Sequence, residues 1–180
     1  FNYFDKVLSK IEANIFLYNI PQFTGNSISY NTLNLLLKKH KNLVGIKDTS
    51  ANFKYFKDLV YYFNDKLNIL QGNDDLLLPS LMIGASGGVC GTTNFTNLAQ
   101  KLFNAFSKNN IKSAIEIHKK VEKIIEITNT ITFPLSYNYL FYKFILNETN
   151  TDILEPFNKI NKNQGNIIAK KVKDIINNKI

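Results

Sequence analysis

The sequence predicts an α/β fold, a parallel sheet covered by helices with further helices after it, and three observations carry that prediction. Short apolar runs alternate with helix-period segments four times in succession, in units of about 20 to 30 residues. The runs are apolar at successive positions, as strands buried on both faces require. Beyond residue 110 the pattern is helical only.

The first unit is IFLYN (15–19), a Pro/Gly turn PQFTGN, and SYNTLNLLLKKHK, a helical pattern with apolar residues at 33, 36 and 37. The second is LVGIK (43–47), the DTSAN loop with Ser50 as a candidate N-cap, and a helix through NFKYFKDLVYYF. LNILQ (67–71), the GNDD turn and a helix from Asp74 or Asp75 through LLLPSLMIGA make the third. Pro79 is expected to kink or shorten that helix. The fourth runs from GGVC (87–90) through GTTN into a helix from about Leu98 to Ser107. SAIEIHKKVEKIIEI, LSYNYLFYKFIL after Pro134, and NIIAKKVKDIINN follow as helices, with 150–163 as the loosest stretch, carrying Pro156. By residue pattern, either a doubly wound sheet or half of a (β/α)8 barrel fits.

Composition excludes several classes of function. At 180 residues and 44% hydrophobic, the chain has material for a sizeable core, and its longest apolar runs fall well short of a bilayer span. With no basic-then-apolar leader at the N-terminus, a cytoplasmic site is expected. Cys90 is the single cysteine, so neither an intrachain disulfide nor a cysteine-based zinc site can form. His40 and His118 are far apart in lysine-rich helical surroundings, and metal chemistry is not expected. The net charge of +8 comes from lysines with no arginine at all. Without arginine's bidentate fork, and with the lysines dispersed, the charge reads as solvated helix faces rather than a nucleic-acid surface. The chain also starts at Phe1, mid-pattern, with no initiator methionine and no capping signal ahead of FDKVLSKIEA (4–13), as expected of a piece of a longer polypeptide.

In parallel α/β folds the loops after the strand C-termini gather on one face, where active sites lie. Polar residues of this chain fall there: Tyr18 and Asn19; Lys47, Asp48 and Thr49; Gly72, Asn73, Asp74 and Asp75; Gly91, Thr92, Thr93 and Asn94. Lys47 ends an otherwise apolar strand. Desolvation there would disfavour the charged form and leave a nucleophilic amine. Such an amine can form a Schiff base with a ketone, and a neighbouring tyrosine hydroxyl can carry the protons that step requires.

YNIPQFTG (18–25), VGIKDTS (44–50), QGNDD (71–75) and GASGGVCGTTN (84–94) resemble, in order and spacing, the dihydrodipicolinate synthase and N-acetylneuraminate lyase family of class I aldolases. FPLSYNYLFYKFIL and the final lysine-rich helix are similar to that family's C-terminal helices. The resemblance implies a (β/α)8 barrel: residues 1–110 would supply strands five to eight, and 111–180 the C-terminal helical extension. It implies that Lys47 forms the Schiff base with pyruvate or a 2-keto acid and that Tyr18 shuttles protons. Thr49, Gly72, Asp74 and Asp75 would bind substrate, while Gly88 lets the chain approach and Val89 sets its carbonyl beside the imine. No cofactor is implied beyond the covalent adduct on Lys47. The partners implied are a small 2-keto acid and an aldehyde, with no nucleic acid and no membrane, in a homodimer or homotetramer. The carboxylate-binding loop of the family belongs to an earlier strand absent from this chain, so the 180 residues alone are expected to be inactive.

Departures from the pattern separate the activities. Phe23 stands where the synthases have an arginine for aspartate semialdehyde, and Gly91 where the sialic acid lyases have a serine. Thr49 together with an apolar residue at 23 is similar to the 2-keto-3-deoxygluconate aldolases. Cleavage of a 2-keto-3-deoxy sugar acid is therefore the expected reaction. Synthase activity, N-acetylneuraminate cleavage and a non-catalytic or lysine-rich binding barrel are the alternatives.

Overall fold

Strands β1 (Ile15–Asn19), β2 (Leu43–Asp48), β3 (Asn68–Gln71) and β4 (Gly87–Gly88) form one parallel sheet in the order β1-β2-β3-β4. A doubly wound sheet reverses its order at a switch point. Here each strand lies beside its predecessor, the singly wound arrangement of a (β/α)8 barrel, and that settles the choice the residue pattern left open. The computed structural model describes residues 1–148 and 152–177; part of the loose 150–163 stretch and residue 178 at the end of the last predicted helix lie outside them. The chain divides into two units, Phe1–Val89 and Cys90–Ile180.

In the first unit the strands alternate with helices α1 (Asn2–Leu8), α2 (Pro21–Thr24), α3 (Tyr30–Lys39), α4 (Phe53–Phe63) and α5 (Leu77–Met82). One face of the sheet is covered, and its central row is apolar. Leu17, Ile46 and Ile69 share a row across β1, β2 and β3, and they cluster with Leu33 and Leu36 of α3 and Phe56, Leu59, Val60 and Phe63 of α4. Each such side chain contributes about 1.5–3 kcal/mol by leaving water. The opposite face is more open: Phe16 and Tyr18 are exposed and Leu70 is half-buried.

Two local expectations are corrected and a third is met. The PQFTGN turn contains a helical turn, α2, because Pro21 at its first position has its φ set for a helix and lacks only an N–H that would be unbonded there. The N-cap of α4 is Asn52, whose side chain accepts from Tyr55 N at 3.1 Å; Ser50 is drawn instead to Asp48. The third helix is broken into a 3-10 turn at Asp74–Leu76 followed by α5. Pro79 falls in the first turn of α5, where its missing N–H has no intrahelical partner to lose, and the helix is shortened ahead of it, on the side where a proline ring meets the carbonyl four residues back, as the sequence leads one to expect.

The second unit opens with a 3-10 turn at Gly91–Asn94 and continues through α6 (Leu98–Ser107), α7 (Ile111–Thr128), α8 (Leu135–Phe141), a π-helical turn at Tyr142–Leu146, and α9 (Lys162–Ile176). Its core joins Val121 and Ile124 of α7, Tyr139 and Leu140 of α8, and Ile168, Val172 and Ile175 of α9. Asn110 and Asn161 cap α7 and α9 with their side chains, each such cap being worth about 1 kcal/mol.

Candidate active site

Parallel pairing without a shift between Phe16 and Asn19 sets Tyr18 of β1 opposite Lys47 of β2, and Lys47 opposite Leu70 of β3. Side chains alternate along a strand, so Tyr18, Lys47 and Leu70 share the open face of the sheet. Lys47 is half-buried there. Its Nζ lies over the Tyr18 ring, 4.2 Å from the centroid. The amine over that ring and the phenol oxygen at its edge thus share the open face of the sheet.

Thr49 follows as β2 ends, and its hydroxyl donates to the Tyr18 hydroxyl at 3.4 Å. Gly72 completes the group. A Cβ at Gly72 would overlap the Thr49 hydroxyl and lie 2.9 Å from Lys47 Cε, so only glycine leaves the lysine stem and the threonine in place. Four of the residues singled out in the sequence are thus brought together: Lys47, Tyr18, Thr49 and Gly72. The others stand further along the strand ends. Asp74 is buried in the 3-10 turn, Asp75 is exposed beside it, Gly88 ends β4, two strands from Lys47, and Val89 follows it, its N donating to Gln71 O at 2.9 Å. Gly91 belongs to the second unit. A Cβ there would lie 2.7 Å from Tyr137 Cε1, so the ring of Tyr137 occupies the space a larger residue would need.

On the covered face, the row just beyond Tyr18 and Lys47 is polar. Asn19, Asp48 and Gln71 lie in register, and each is 1% exposed or less. Asn19 Nδ2 donates to Asp48 Oδ1 at 2.6 Å, and Asn19 Oδ1 accepts from Ile28 N. Gln71 Oε1 accepts from the backbone N–H of Gly72 and of Asn73, both at 2.9 Å, and so shapes the turn that holds Gly72. Gln71 was hidden in the sequence because LNILQ reads as a plain strand. Strand register alone finds it: it pairs with Asp48, the neighbour of Lys47.

Burial holds the Asp48 carboxyl above the ordinary carboxylate value of 3.8, outweighing the lowering effect of hydrogen bonds from Asn19 and Ser50. The folded chain therefore keeps this proton to a higher pH than the unfolded chain. Between 3.8 and the raised value the native state binds more protons, so the contribution of Asp48 to stability falls as pH rises through that window. Asp48→Asn should accordingly gain stability relative to the parent between pH 3.5 and pH 7, measured as the difference in urea midpoints. An identical difference at the two pH values would refute this.

Among the described residues no group of three or more His, Cys, Asp or Glu side chains could hold a metal ion, and no helix is long and apolar enough to cross a membrane.

Residues 1–175 match the sequence profile of the dihydrodipicolinate synthetase family. An uncharacterised DapA-like lyase from Thermoplasma acidophilum is 40% identical over 144 residues, which is 79% of this chain and 49% of that protein. A 2-dehydro-3-deoxy-D-gluconate/2-dehydro-3-deoxy-phosphogluconate aldolase from Picrophilus torridus is 38% identical over 144 residues, 79% of this chain and 53% of the aldolase. The solved 2-keto 3-deoxygluconate aldolase of Picrophilus torridus superposes with a TM-score of 0.83 at 36% identity, covering 89% of this chain and 57% of that structure. A dihydrodipicolinate synthase from Aquifex aeolicus, 22% identical, shares the fold with a TM-score of 0.84 over 96% of this chain and 59% of its own. The chain spans about half the length of the curated relatives it matches.

Proposed function

The chain belongs to the dihydrodipicolinate synthetase family, and from that premise we propose that it carries the Schiff-base centre of a class I aldolase acting on a 2-keto-3-deoxy sugar acid. The observation that carries this reading is the Lys47 amine, set at the end of an apolar strand 4.2 Å from the centre of the Tyr18 ring.

In this reading Lys47 Nζ attacks the ketone carbon of the substrate, and the carbinolamine loses water to give an iminium. The Tyr18 hydroxyl supplies and recovers the protons these steps move. The iminium draws in the electron pair of the bond between the third and fourth carbons as that bond breaks. The fourth carbon leaves as the aldehyde once the proton of its hydroxyl is removed. The remaining enamine takes up a proton at carbon, and water releases pyruvate and the free amine. Thr49, Asp74 and Asp75 would bind the hydroxyl-bearing part of the substrate, with Gly72 leaving room for it; Val89 would present its carbonyl to the imine, with Gly88 allowing the approach. No cofactor takes part beyond the adduct on Lys47.

Phe23 favours a sugar acid over aspartate semialdehyde, because it offers an exposed apolar ring where the synthases are expected to place an arginine. The packing of Tyr137 against Gly91 likewise leaves no room for the serine expected of a sialic acid lyase. The reading extends to a barrel portion over 1–110, a helical extension over 111–180, a cytoplasmic homo-oligomer, and an activity that requires the complete polypeptide.

The test is borohydride reduction of the complete polypeptide in the presence of pyruvate, with mass spectrometry of the peptide containing Lys47. It should be paired with assays of 2-keto-3-deoxygluconate cleavage and of condensation with aspartate semialdehyde. A reduced pyruvate adduct on Lys47 and faster cleavage are expected. Faster condensation would overturn the substrate, and a folded protein without the adduct would overturn the chemistry.

A further inference from the structure

We infer that Asn19 and Asp48 are positioning residues for the Tyr18–Lys47 pair, their mutual hydrogen bond on the covered face of the sheet fixing how the amine meets the phenol on the other. The inference rests on the Schiff-base reading of Lys47 and adds to it a cause for the pair's geometry.

Three features of the molecule support it. Asn19 and Asp48 directly follow Tyr18 and Lys47, and they are partners across the same two strands. Any change in the separation or tilt of their backbones is therefore transmitted to the reacting side chains, one residue away. The pair is also restrained from several directions. Beside the 2.6 Å bond from Asn19 Nδ2 to Asp48 Oδ1, Asn19 Oδ1 holds Ile28 N at 2.9 Å, and Asn19 O accepts from Thr49 N at 2.9 Å. Asp48 Oδ2 accepts from Ser50 Oγ at 2.9 Å, and its Oδ1 from Ser50 N at 3.4 Å. β1, β2 and the loops leaving them are thus tied at one point.

The third feature is where the polarity lies. The preceding row on the same face is Leu17, Ile46 and Ile69, all apolar and buried. Hydrophobic side chains at 19 and 48 would continue that row without burying a carboxylate, which is costly even when hydrogen-bonded. Polar side chains are placed only in the row behind the amine and the phenol. A fully bonded polar pair admits one geometry where an apolar pair admits several, and a displacement of about 1 Å at a reacting group can cost about 100-fold in rate.

The test uses the complete polypeptide and reads four quantities: the rate of the borohydride-trapped pyruvate adduct, kcat and KM in the aldolase assay, and the thermal midpoint. Asn19→Ala and Asp48→Ala should form the adduct about 10- to 100-fold more slowly, with KM for the keto acid little moved. Asp48→Asn still offers Asn19 an acceptor and should stay within about threefold of the parent, which a requirement for charge would not allow. Asn19→Leu combined with Asp48→Leu removes both members of the bond together, so neither faces the other unpaired, although Ile28 N and Ser50 lose their side-chain acceptors; it supplies the same reading where an alanine variant does not fold. Folded variants lacking the bond that keep the parental rate would overturn the inference, as would Asp48→Asn being as slow as Asp48→Ala. A parent that forms no adduct would overturn the Schiff-base reading and this inference with it; a parent that does, beside unimpaired variants, overturns this inference alone.

Discussion

Lys47→Ala in the complete polypeptide is expected to abolish the trapped pyruvate adduct and lower kcat/KM by at least about 10⁴-fold, equivalent to roughly 5.5 kcal/mol of transition-state stabilisation. The size follows from covalent catalysis. Without the amine no iminium forms, and the electron pair of the breaking carbon–carbon bond has no acceptor. Stability should change little by comparison, because Lys47 is half-buried at the strand end on the open face and the apolar row of the sheet lies on the other. Turnover would be measured with purified variant and parent, beside a thermal melt of each. A folded Lys47→Ala protein with more than about a hundredth of the parental turnover would sink the assignment of the nucleophile.

Tyr18→Phe should be milder but still large, lowering kcat by about 10²- to 10⁴-fold, the range of general acid–base catalysis by a positioned side chain. This substitution is informative because it separates two contributions of the residue. The ring remains, so the amine keeps its contact with the aromatic face, worth about 0.5–1 kcal/mol at an exposed site. Only the hydroxyl is lost, and with it the acceptor of the Thr49 hydroxyl. Lys47 should therefore still be trapped by borohydride, at a reduced rate, with KM for the keto acid changed by no more than a few-fold. Wild-type kcat in Tyr18→Phe would mean that the proton carrier is another group.

A good deal of this was legible in the chain. LVGIK announces a strand because Leu43, Val44 and Ile46 leave no helical stripe, and its lysine is conspicuous for ending an apolar run. α3 lies within the helical pattern SYNTLNLLLKKHK, and α6 spans Leu98–Ser107 as its periodicity predicts. Ser50 misled because a serine ahead of a helical pattern is a good cap only when no stronger acceptor competes for its hydroxyl, and the buried Asp48 carboxylate does compete. Pro79 announced a shortened helix, and only the place of the break, the 3-10 turn at Asp74–Leu76, waited for the structure.

The sequence by itself determined the order of the elements, the parallel class of the sheet and the identity of the chemically able residues, because periodicity, turn residues and a lysine closing an apolar run are local signals. Strand order, register and the contacts that follow from them were decided only in the tertiary structure. Residues 18, 47, 49 and 72 come from three separate strand ends, and their meeting depends on how those strands align. The same alignment places Asn19, Asp48 and Gln71 behind them. A one-residue slip of β1 against β2 would exchange the faces, burying Tyr18 and turning Asn19 outward. No window of sequence records that registration, because it is fixed by the packing of Leu17, Ile46 and Ile69 under α3 and α4.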